Sequence, residues 1–258
     1  MSTFLFDKIV FGPVKSRRLG VSLGINLSPV DHKLCNFDCV YCECGLNTTG
    51  IGNGHMPQRK EVSEALELKL AEMRLANEAP DVITFAGNGE PTMHPEFAAI
   101  INDSLALRNK YFPSAKVSVL SNSTMLHKAT VVEALKKVDQ NILKLDSGLL
   151  STILALNKPT GLYSVEKVVS QLKEFKQNLI IQTMFTRGKI NGIAIDNTTE
   201  ADITAWLNII VDVNPQMVMI YTVDRDTPFE GLQKIGRNEL ETIAQRVQAL
   251  GIETQVSA

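Results

Sequence analysis

Apolar residues form two kinds of pattern that alternate along most of the chain. Short runs rich in β-branched residues predict buried strands, and longer segments with apolar residues at helical spacing predict amphipathic helices. The predicted strands are residues 20–27, 81–86, 115–120, 141–145, 179–185 and 216–221. The predicted helices are residues 61–77, 95–107, 129–138, 164–176, 199–211 and 237–250. Each strand is followed by a helix, which makes six βα units.

Consecutive βα units predict a parallel sheet, because each helix returns the chain to the start of the next strand. The pattern is compatible with an open, doubly wound sheet and with a sheet that curls into a barrel. In both folds, ligands bind at the carboxyl ends of the strands. The candidate site residues are therefore the polar side chains that directly follow each predicted strand.

Composition and charge narrow the class of protein. We expect residues 1–258 to form a single domain, a length that α/β barrels often use for one core. A hydrophobic fraction of 44% indicates a soluble globular protein, and the net charge of −2 excludes a global positive field for nucleic acid. No apolar stretch has the length of a membrane span or a signal core, so we expect a cytoplasmic protein without a membrane partner.

All four cysteines lie in a predicted irregular loop of about residues 28–60. Three of them, Cys35, Cys39 and Cys42, follow a CxxxCxxC spacing, which keeps three thiolates close enough to bind three corners of one cubane cluster. One iron then keeps an open position, which suits a cluster that binds a small molecule. Cysteines this close together also favour a reducing compartment over a disulfide framework.

Two alternatives concern the remaining ligand of this site. Cys44 follows Cys42 after a single residue and could complete the cluster. So short a link leaves little slack between two cluster corners, and we expect Cys44 to be a free thiol. A tetrahedral zinc site would instead need His32 or His55 beside the cysteines.

The cysteine loop, with the aromatic residue Tyr41 before its third cysteine, resembles the radical S-adenosylmethionine (SAM) superfamily. The resemblance covers nearly the whole chain and implies an α/β fold with a partial (β/α)6 barrel of the TIM type. It also implies a [4Fe–4S] cluster on the three motif cysteines and SAM as the molecule that binds the open iron. Tyr41 is then expected beside SAM.

The segment Gly87-Asn88-Gly89-Glu90 follows the second predicted strand and resembles the GGEP motif of that superfamily, with Asn88 as an extra or substituted residue. In the family this segment contacts the methionine amino group. A glycine backbone allows close approach of a ligand, and a carboxylate or carbonyl satisfies an ammonium group. A plain strand-to-helix turn would also favour glycine and proline.

Polar residues also follow the later strands. Asn122 can donate to a carboxylate or a ribose, or cap the next helix. Lys144 and Asp146 share one strand face, and the resemblance assigns them the SAM carboxylate and the ribose; a surface ion pair is the alternative. Gln182 needs a partner, because an unmet buried amide costs about 1–3 kcal/mol. Tyr221 ends the sixth strand, and we expect both residues to contact SAM.

The resemblance implies a radical reaction. One electron, from an external donor of the flavodoxin or ferredoxin type, cleaves SAM to a 5′-deoxyadenosyl radical, which abstracts hydrogen from a substrate. A modified nucleoside or tRNA, a peptide and a small metabolite are all compatible substrates. Two other functions stay open: an activase that installs a glycyl radical on a partner protein, and an iron–sulfur electron-transfer protein in which Cys44 completes the cluster.

Residues 11–20 and 23–27, with the cysteine loop, resemble the small proteins related to the tRNA wyosine synthases. No cysteine precedes Cys35, so we do not expect the second cluster of the archaeal wyosine synthases. Lys15, Arg17 and Arg18 form a basic patch that could meet an RNA phosphate or a carboxylated substrate, or remain solvated.

Overall fold

The computed structural model describes residues 4–47, 52, 54–176 and 178–258. Its strands are β1 (Val10–Ser16), β2 (Gly20–Ile25), β3 (Val82–Phe85), β4 (Lys116–Ser121), β5 (Gln140–Lys144), β6 (Ile180–Ile190), β7 (Ile193–Asp196), β8 (Met217–Thr222), β9 (Leu232–Lys234) and β10 (Glu253–Ser257). Its helices are α1 (Arg59–Leu75), α2 (Phe97–Tyr111), α3 (Ala129–Leu135), α4 (Leu150–Leu156), α5 (Val165–Leu172), α6 (Glu200–Val213) and α7 (Arg237–Gln248). All six predicted strand–helix pairs are present.

The strands hydrogen-bond in the order β1-β2-β3-β4-β5-β6-β8-β10. β1 is antiparallel to β2, and every later pair on this path is parallel. β7 and β9 pair antiparallel with the far end of β6. The parallel strands curl into a half-barrel, and no strand pairing joins β1 to β10 within the described part of the chain. The barrel-like fold that the family resemblance implies is therefore confirmed.

Several elements lie outside the predicted pattern. β1 and β10 are largely exposed or half-buried, so they lack the continuous apolar run that marks a central strand. β6 continues to Ile190 instead of ending at the predicted residue 185, because its extension pairs with β7 and β9. α4 has seven residues, which is too short for a helical period to stand out.

Helix boundaries follow local capping chemistry. α5 begins after Ser164, whose Oγ accepts the Lys167 N–H at 3.2 Å. α6 begins after Thr199, whose Oγ1 accepts the Asp202 N–H at 3.2 Å, and ends at Asn214 in the left-handed region. None of the helices in the described ranges is both long and apolar enough to cross a membrane.

Alternation along the strands divides the apolar residues between two layers. One face packs against the helices in the main core, which contains Phe85 and Trp206. The other face points into the lumen, where a smaller cluster contains Ile142, Ile180 and Met219. The residues two positions further along these same faces are Lys144, Gln182 and Tyr221. The lumen thus changes from apolar to polar at the carboxyl ends of the strands.

The loop that carries the cysteines is fastened to the carboxyl end of β3. The Leu34 N–H donates to the Asn88 carbonyl at 2.9 Å, and the Glu90 N–H donates to the Leu34 carbonyl at 3.1 Å. Leu34 and Gly89 therefore form an isolated parallel bridge. A Cβ atom on Gly89 would overlap the Leu34 carbonyl oxygen, so the two backbones approach this closely only with glycine at position 89.

We expect Gly89→Ala to lower the free energy of unfolding by about 1–3 kcal/mol, because the added methyl group meets backbone atoms that cannot rotate away. Gly161→Ala is the matched control, since nothing lies within 4 Å of its Cβ position. Its effect is expected to stay within about 0.5 kcal/mol. Urea unfolding followed by circular dichroism measures both, and equal effects would contradict the close contact.

Candidate functional site

The motif cysteines lie in the loop after β2 and receive hydrogen bonds at sulfur. Cys39 is buried, and Cys35 and Cys42 are half-buried. Cys35 Sγ accepts the Asn122 Nδ2–H at 3.5 Å, and Cys39 Sγ accepts the Asn157 Nδ2–H at 3.4 Å. Hydrogen bonds to sulfur are a known influence on thiolates that hold iron–sulfur clusters, so this donor set fits a cluster site.

A buried lysine lies close enough to offset the negative charge of these cysteines in their thiolate form. Lys33 is 5% exposed, and its Nζ donates to Asp38 Oδ1 at 3.2 Å and to the Gly45 carbonyl at 3.0 Å. Burial alone would lower the pKa of Lys33, but the charges of the three motif cysteines and of Asp38 outweigh burial and raise the pKa. A fixed positive charge here favours the thiolate forms that bind iron.

The four cysteines differ in acidity. Burial raises the pKa of Cys35 to about 12 and the pKa of Cys39 to about 11. The Cys44 thiol donates a hydrogen bond to Cys42, which, against the effect of burial and together with Lys33, lowers the pKa of Cys42 to about 6. The same bond raises the pKa of Cys44. Cluster binding would therefore release protons from Cys35 and Cys39.

The fourth cysteine and the histidines do not assemble a compact metal site. Cys44 Sγ lies 3.4 Å from the Gly87 carbonyl oxygen. His32 hydrogen-bonds Asp31 at 2.7 Å, and His55 is exposed. Within the described ranges, no three His, Cys, Asp or Glu side chains are arranged around one metal-ion position. A cubane needs separated thiolates, one for each iron that the protein holds, whereas zinc needs converging ligands.

A cavity of about 270 Å³ lies beside the cysteines at the carboxyl ends of the parallel strands. Cys42 forms part of its wall. The predicted site residues that line this cavity are Tyr41, Gly87, Gly89, Glu90, Asn122, Lys144, Gln182 and Tyr221. Two further predicted residues, Asn88 and Asp146, are buried behind the lining residues.

The glycine-rich segment after β3 presents backbone and one carboxylate to the cavity. Asn88 is fully buried, and its Nδ2 donates to the carbonyls of Phe6 at 2.8 Å and Pro29 at 2.9 Å, which ties down the N-terminal segment. The Glu90 carboxylate accepts the Asn122 N–H at 2.7 Å, and burial raises the pKa of Glu90. No cationic side chain of the described residues forms a salt bridge with Glu90. The ammonium group of a ligand could therefore form an ion pair with this carboxylate.

Asp146 lies behind the cavity and joins several elements. Its carboxylate is 1% exposed and accepts the Tyr41 hydroxyl, the Asn157 Nδ2–H at 2.6 Å and the Met184 N–H at 2.9 Å. Lys144 Nζ lies 3.6 Å from the same carboxylate. The two same-face residues therefore form an ion pair with each other. Asp146 is buried and Lys144 is half-buried, so the pair is not the surface ion pair that was the alternative.

Lys144 presents its ammonium group between two aromatic rings. Its Nζ donates to the Tyr221 hydroxyl at 3.1 Å and lies 5.1 Å from the Tyr41 ring centroid. Burial would lower the pKa of Lys144, but the charge of Asp146, followed by Tyr221 and Cys39, outweighs burial and raises the pKa. Lys144 therefore remains a cation inside the cavity.

Gln182 presents an unpartnered amide to the cavity. Its residue is 6% exposed, and it lines the cavity wall. Its amide makes no hydrogen bond to any other described residue and is open to the cavity, where a bound polar molecule can pair with it.

Two residues of this site have no recognisable signal in the sequence. Asn157 ends α4, a position where asparagine is common for local reasons, and it meets Cys39 across 118 residues of chain. Its buried Oδ1 has no partner. Lys33 belongs to a polar stretch of the loop and looks like a surface lysine until the fold buries it.

The structure separates the predicted basic patch. Lys15 is exposed, and Arg17 forms a salt bridge of 3.1 Å with Asp224. Arg18 lies in the wall of the cavity, with its guanidinium carbon 4.5 Å from the Tyr221 ring centroid. One member of the patch thus belongs to the site, and the other two face outward.

Residues 32–210 match the family model of the Radical SAM superfamily. A protein from Brachyspira hyodysenteriae named GTPase Obg is 30% identical over 240 residues, which cover 92% of this chain and 33% of that protein. A UPF0026 protein from Helicobacter pylori is 30% identical over 240 residues, which cover 90% of this chain and 71% of that protein. This chain therefore spans about a third of the first relative.

Solved structures share the fold at low identity. A radical SAM methyltransferase from Sphaerobacter thermophilus is 13% identical with a TM-score of 0.65, over 92% of this chain and 65% of that chain. SuiB from Streptococcus suis bound to S-adenosylmethionine is 13% identical with a TM-score of 0.63, over 91% and 50%. Archaeal TYW1 is 14% identical with a TM-score of 0.52, over 88% and 71%.

The three findings agree with one another. The matched span contains the cysteine loop, the glycine-rich segment and the polar ends of β4, β5 and β6. The solved structures repeat the half-barrel, and the curated relatives extend the likeness across about nine-tenths of the chain. This protein therefore belongs to the radical SAM superfamily.

Proposed function

We propose that this protein cleaves SAM reductively at a [4Fe–4S] cluster held by Cys35, Cys39 and Cys42, and directs the resulting radical at a hydrogen atom of a second substrate. The observation that carries the proposal is that Cys42, in the loop that also carries Cys35 and Cys39, forms part of the wall of a cavity that is lined by the buried Glu90 carboxylate and the half-buried Lys144 ammonium group. The family supports the chemistry and leaves the second substrate open.

A cluster held by these three cysteines would supply the electron for cleavage of a C–S bond of SAM, which gives methionine and a 5′-deoxyadenosyl radical. The role of the chain is to bind, orient and exclude water. Glu90 and the backbone of Gly87 and Gly89 would receive the methionine ammonium group, because a buried carboxylate gains most from a cationic partner. Lys144 would donate to the methionine carboxylate, whereas Asn122 would line the wall beside it, because its amide already donates to Cys35 Sγ and Asn36 Oδ1.

The remaining wall would face the adenosyl group. Gln182 and Tyr221 line the cavity on β6 and β8, and Tyr41 closes it from the cysteine loop. For Asp146, the resemblance implies a ribose contact. Since both its oxygens already accept protein hydrogen bonds, we propose that Asp146 contributes by holding Tyr41 and Lys144 in place.

An external one-electron donor of the flavodoxin or ferredoxin type completes the proposal, because reduction must come from outside the chain. We also propose a cytoplasmic, reducing compartment, because four cysteines within one loop suit a metal site better than a disulfide framework.

We expect the anaerobically reconstituted and reduced protein to show a cluster signal in electron paramagnetic resonance that changes when SAM is added. The same sample should release 5′-deoxyadenosine slowly without any second substrate. Cys44→Ala should keep both properties, because we propose that only the three motif cysteines hold the cluster, with Cys44 as a free thiol beside Cys42. Cys39→Ala should lose the intact cluster.

If the spectrum of the wild-type protein with a full complement of cluster does not change when SAM is added, the proposed function is wrong. Loss of the cluster in Cys44→Ala would instead make Cys44 a fourth ligand and favour electron transfer. Iron content, determined on each sample, separates these results from incomplete reconstitution.

We expect Asn157→Leu to lower the reduction potential of the cluster by about 30–60 mV, since 59 mV is tenfold in a one-electron equilibrium. The physical reason is that the hydrogen bond from Asn157 Nδ2–H to Cys39 Sγ stabilises the reduced cluster, which carries more negative charge. Anaerobic redox titration followed by electron paramagnetic resonance measures the shift.

Asn141→Leu is the matched control for this measurement. Asn141 is also fully buried with a partnerless Oδ1, but its Nδ2 donates to the Asn178 carbonyl at 3.2 Å, away from the cysteines. Its potential should equal that of the wild type. An equal shift in both variants would mean that general loosening of the fold, and not the bond to sulfur, sets the change.

A further inference from the structure

The turn between β1 and β2 places an arginine in the cavity. The Arg18 N–H donates to Ser16 Oγ at 3.3 Å, and the Arg18 carbonyl accepts the Gln255 Nε2–H at 3.0 Å. The backbone at this position is therefore held both by its own turn and by β10. The side chain extends from the turn to the face of the Tyr221 ring.

The guanidinium group of Arg18 lacks an anionic partner. It forms no salt bridge and no side-chain hydrogen bond with any residue that the structure describes, although it is half-buried. Its neighbour Arg17 pairs with Asp224 at 3.1 Å, and Arg225 pairs with Glu43 at 2.8 Å. The planar guanidinium group has five N–H donors whose arrangement matches carboxylate or phosphate oxygens. Arg18 is therefore able to bind an anionic ligand.

A second observation also indicates a polar ligand on this wall. Gln182 is nine-tenths buried, lines the same cavity and has no hydrogen-bond partner for its amide among the described side chains and backbone groups. It lies on β6 directly beside Lys144 of β5 in the strand register, and Met184 of β6 lies beside Tyr221. The two unpartnered donors, Arg18 and Gln182, thus line the same cavity.

Arg18 and Lys144 both contact Tyr221 but reach it from different elements. Lys144 is also tied to Asp146 and lies over Tyr41, the residue before Cys42, so of the two cations it is the one next to the cysteine loop. Arg18 comes from the opposite direction, on the β1–β2 turn, and stacks on Tyr221 at the end of β8. A ligand held at the cluster would meet Lys144, and Arg18 would remain for a second molecule.

We infer that Arg18 binds a carboxylate or phosphate group of the second substrate, which places an anionic molecule in the cavity together with SAM. This inference rests on the proposed function for the identity of the cavity. Tyr221 holds the guanidinium plane, and Arg18 sets the specificity for an anion. A neutral substrate without such a group would leave the fork unpaired and would bind more weakly.

The test uses Arg18→Met, which keeps the apolar stem and removes the charged fork. Inorganic phosphate is titrated by calorimetry into the SAM-loaded protein with its cluster oxidised, so that SAM is not consumed. We expect the phosphate dissociation constant to rise about tenfold, since a charge-assisted contact is lost. The SAM dissociation constant should change by less than about twofold.

Arg17→Met is the matched control, because it removes the same charge from the adjacent residue on the exposed side of the turn. Its phosphate affinity should stay within about twofold of the wild type, as exposed ion pairs contribute little. If Arg18→Met loses its cluster or unfolds, Arg18→Lys is used instead. Its phosphate affinity is expected to fall about threefold, because the charge stays and the planar guanidinium group is removed.

Two results would overturn the inference. Equal phosphate affinity in wild type and in both variants would mean that Arg18 binds no anion. A large loss of SAM affinity in Arg18→Met, with phosphate unaffected, would assign Arg18 to the carboxylate of SAM itself. Failure of the proposed function is a separate result, because wild-type protein that does not bind SAM can still be titrated with phosphate.

Discussion

The buried carboxylate of Asp146 is the contact on which the site depends. It accepts hydrogen bonds from Tyr41 of the cysteine loop, Asn157 after α4 and the backbone of Met184 in β6, and it lies 3.6 Å from Lys144 Nζ. Losing one member of a buried ion pair commonly costs about 3–5 kcal/mol. A single group therefore fixes the loop, the strand ends and the cavity cation together.

Charge is balanced in pairs across the rest of the site. Lys33 lies beneath the cysteines and favours their thiolate forms, while Lys144 faces the cavity. Among the described residues, Glu90 is buried without a cationic partner and Arg18 is half-buried without an anionic partner. Both line the cavity, as does Lys144, which is paired with Asp146. Charged groups without a partner in a cavity are expected of a site that binds charged ligands.

The fold was largely predictable, because the six strands and the helices that follow them have long segments with a clear spacing of apolar residues. The parts that the pattern missed are those whose stability comes from neighbours: α4 is short, β1 and β10 are edge strands, and β6 extends where β7 and β9 pair with it. The choice between an open sheet and a curled one came from the cysteine motif and its family. The pattern of apolar and polar residues along the chain is the same for an open sheet and for a curled sheet.

For the site, the sequence by itself determined the cysteine spacing, the glycine-rich segment and the polar residue after each strand, because these depend on local order along the chain and on strand alternation. Tertiary structure alone decided what each group touches. Asn157 meets Cys39 across 118 residues, Asn88 turns toward the N-terminal segment, and Arg18 enters the cavity while Arg17 does not. Such contacts are set by how distant segments pack, and local sequence carries no record of them.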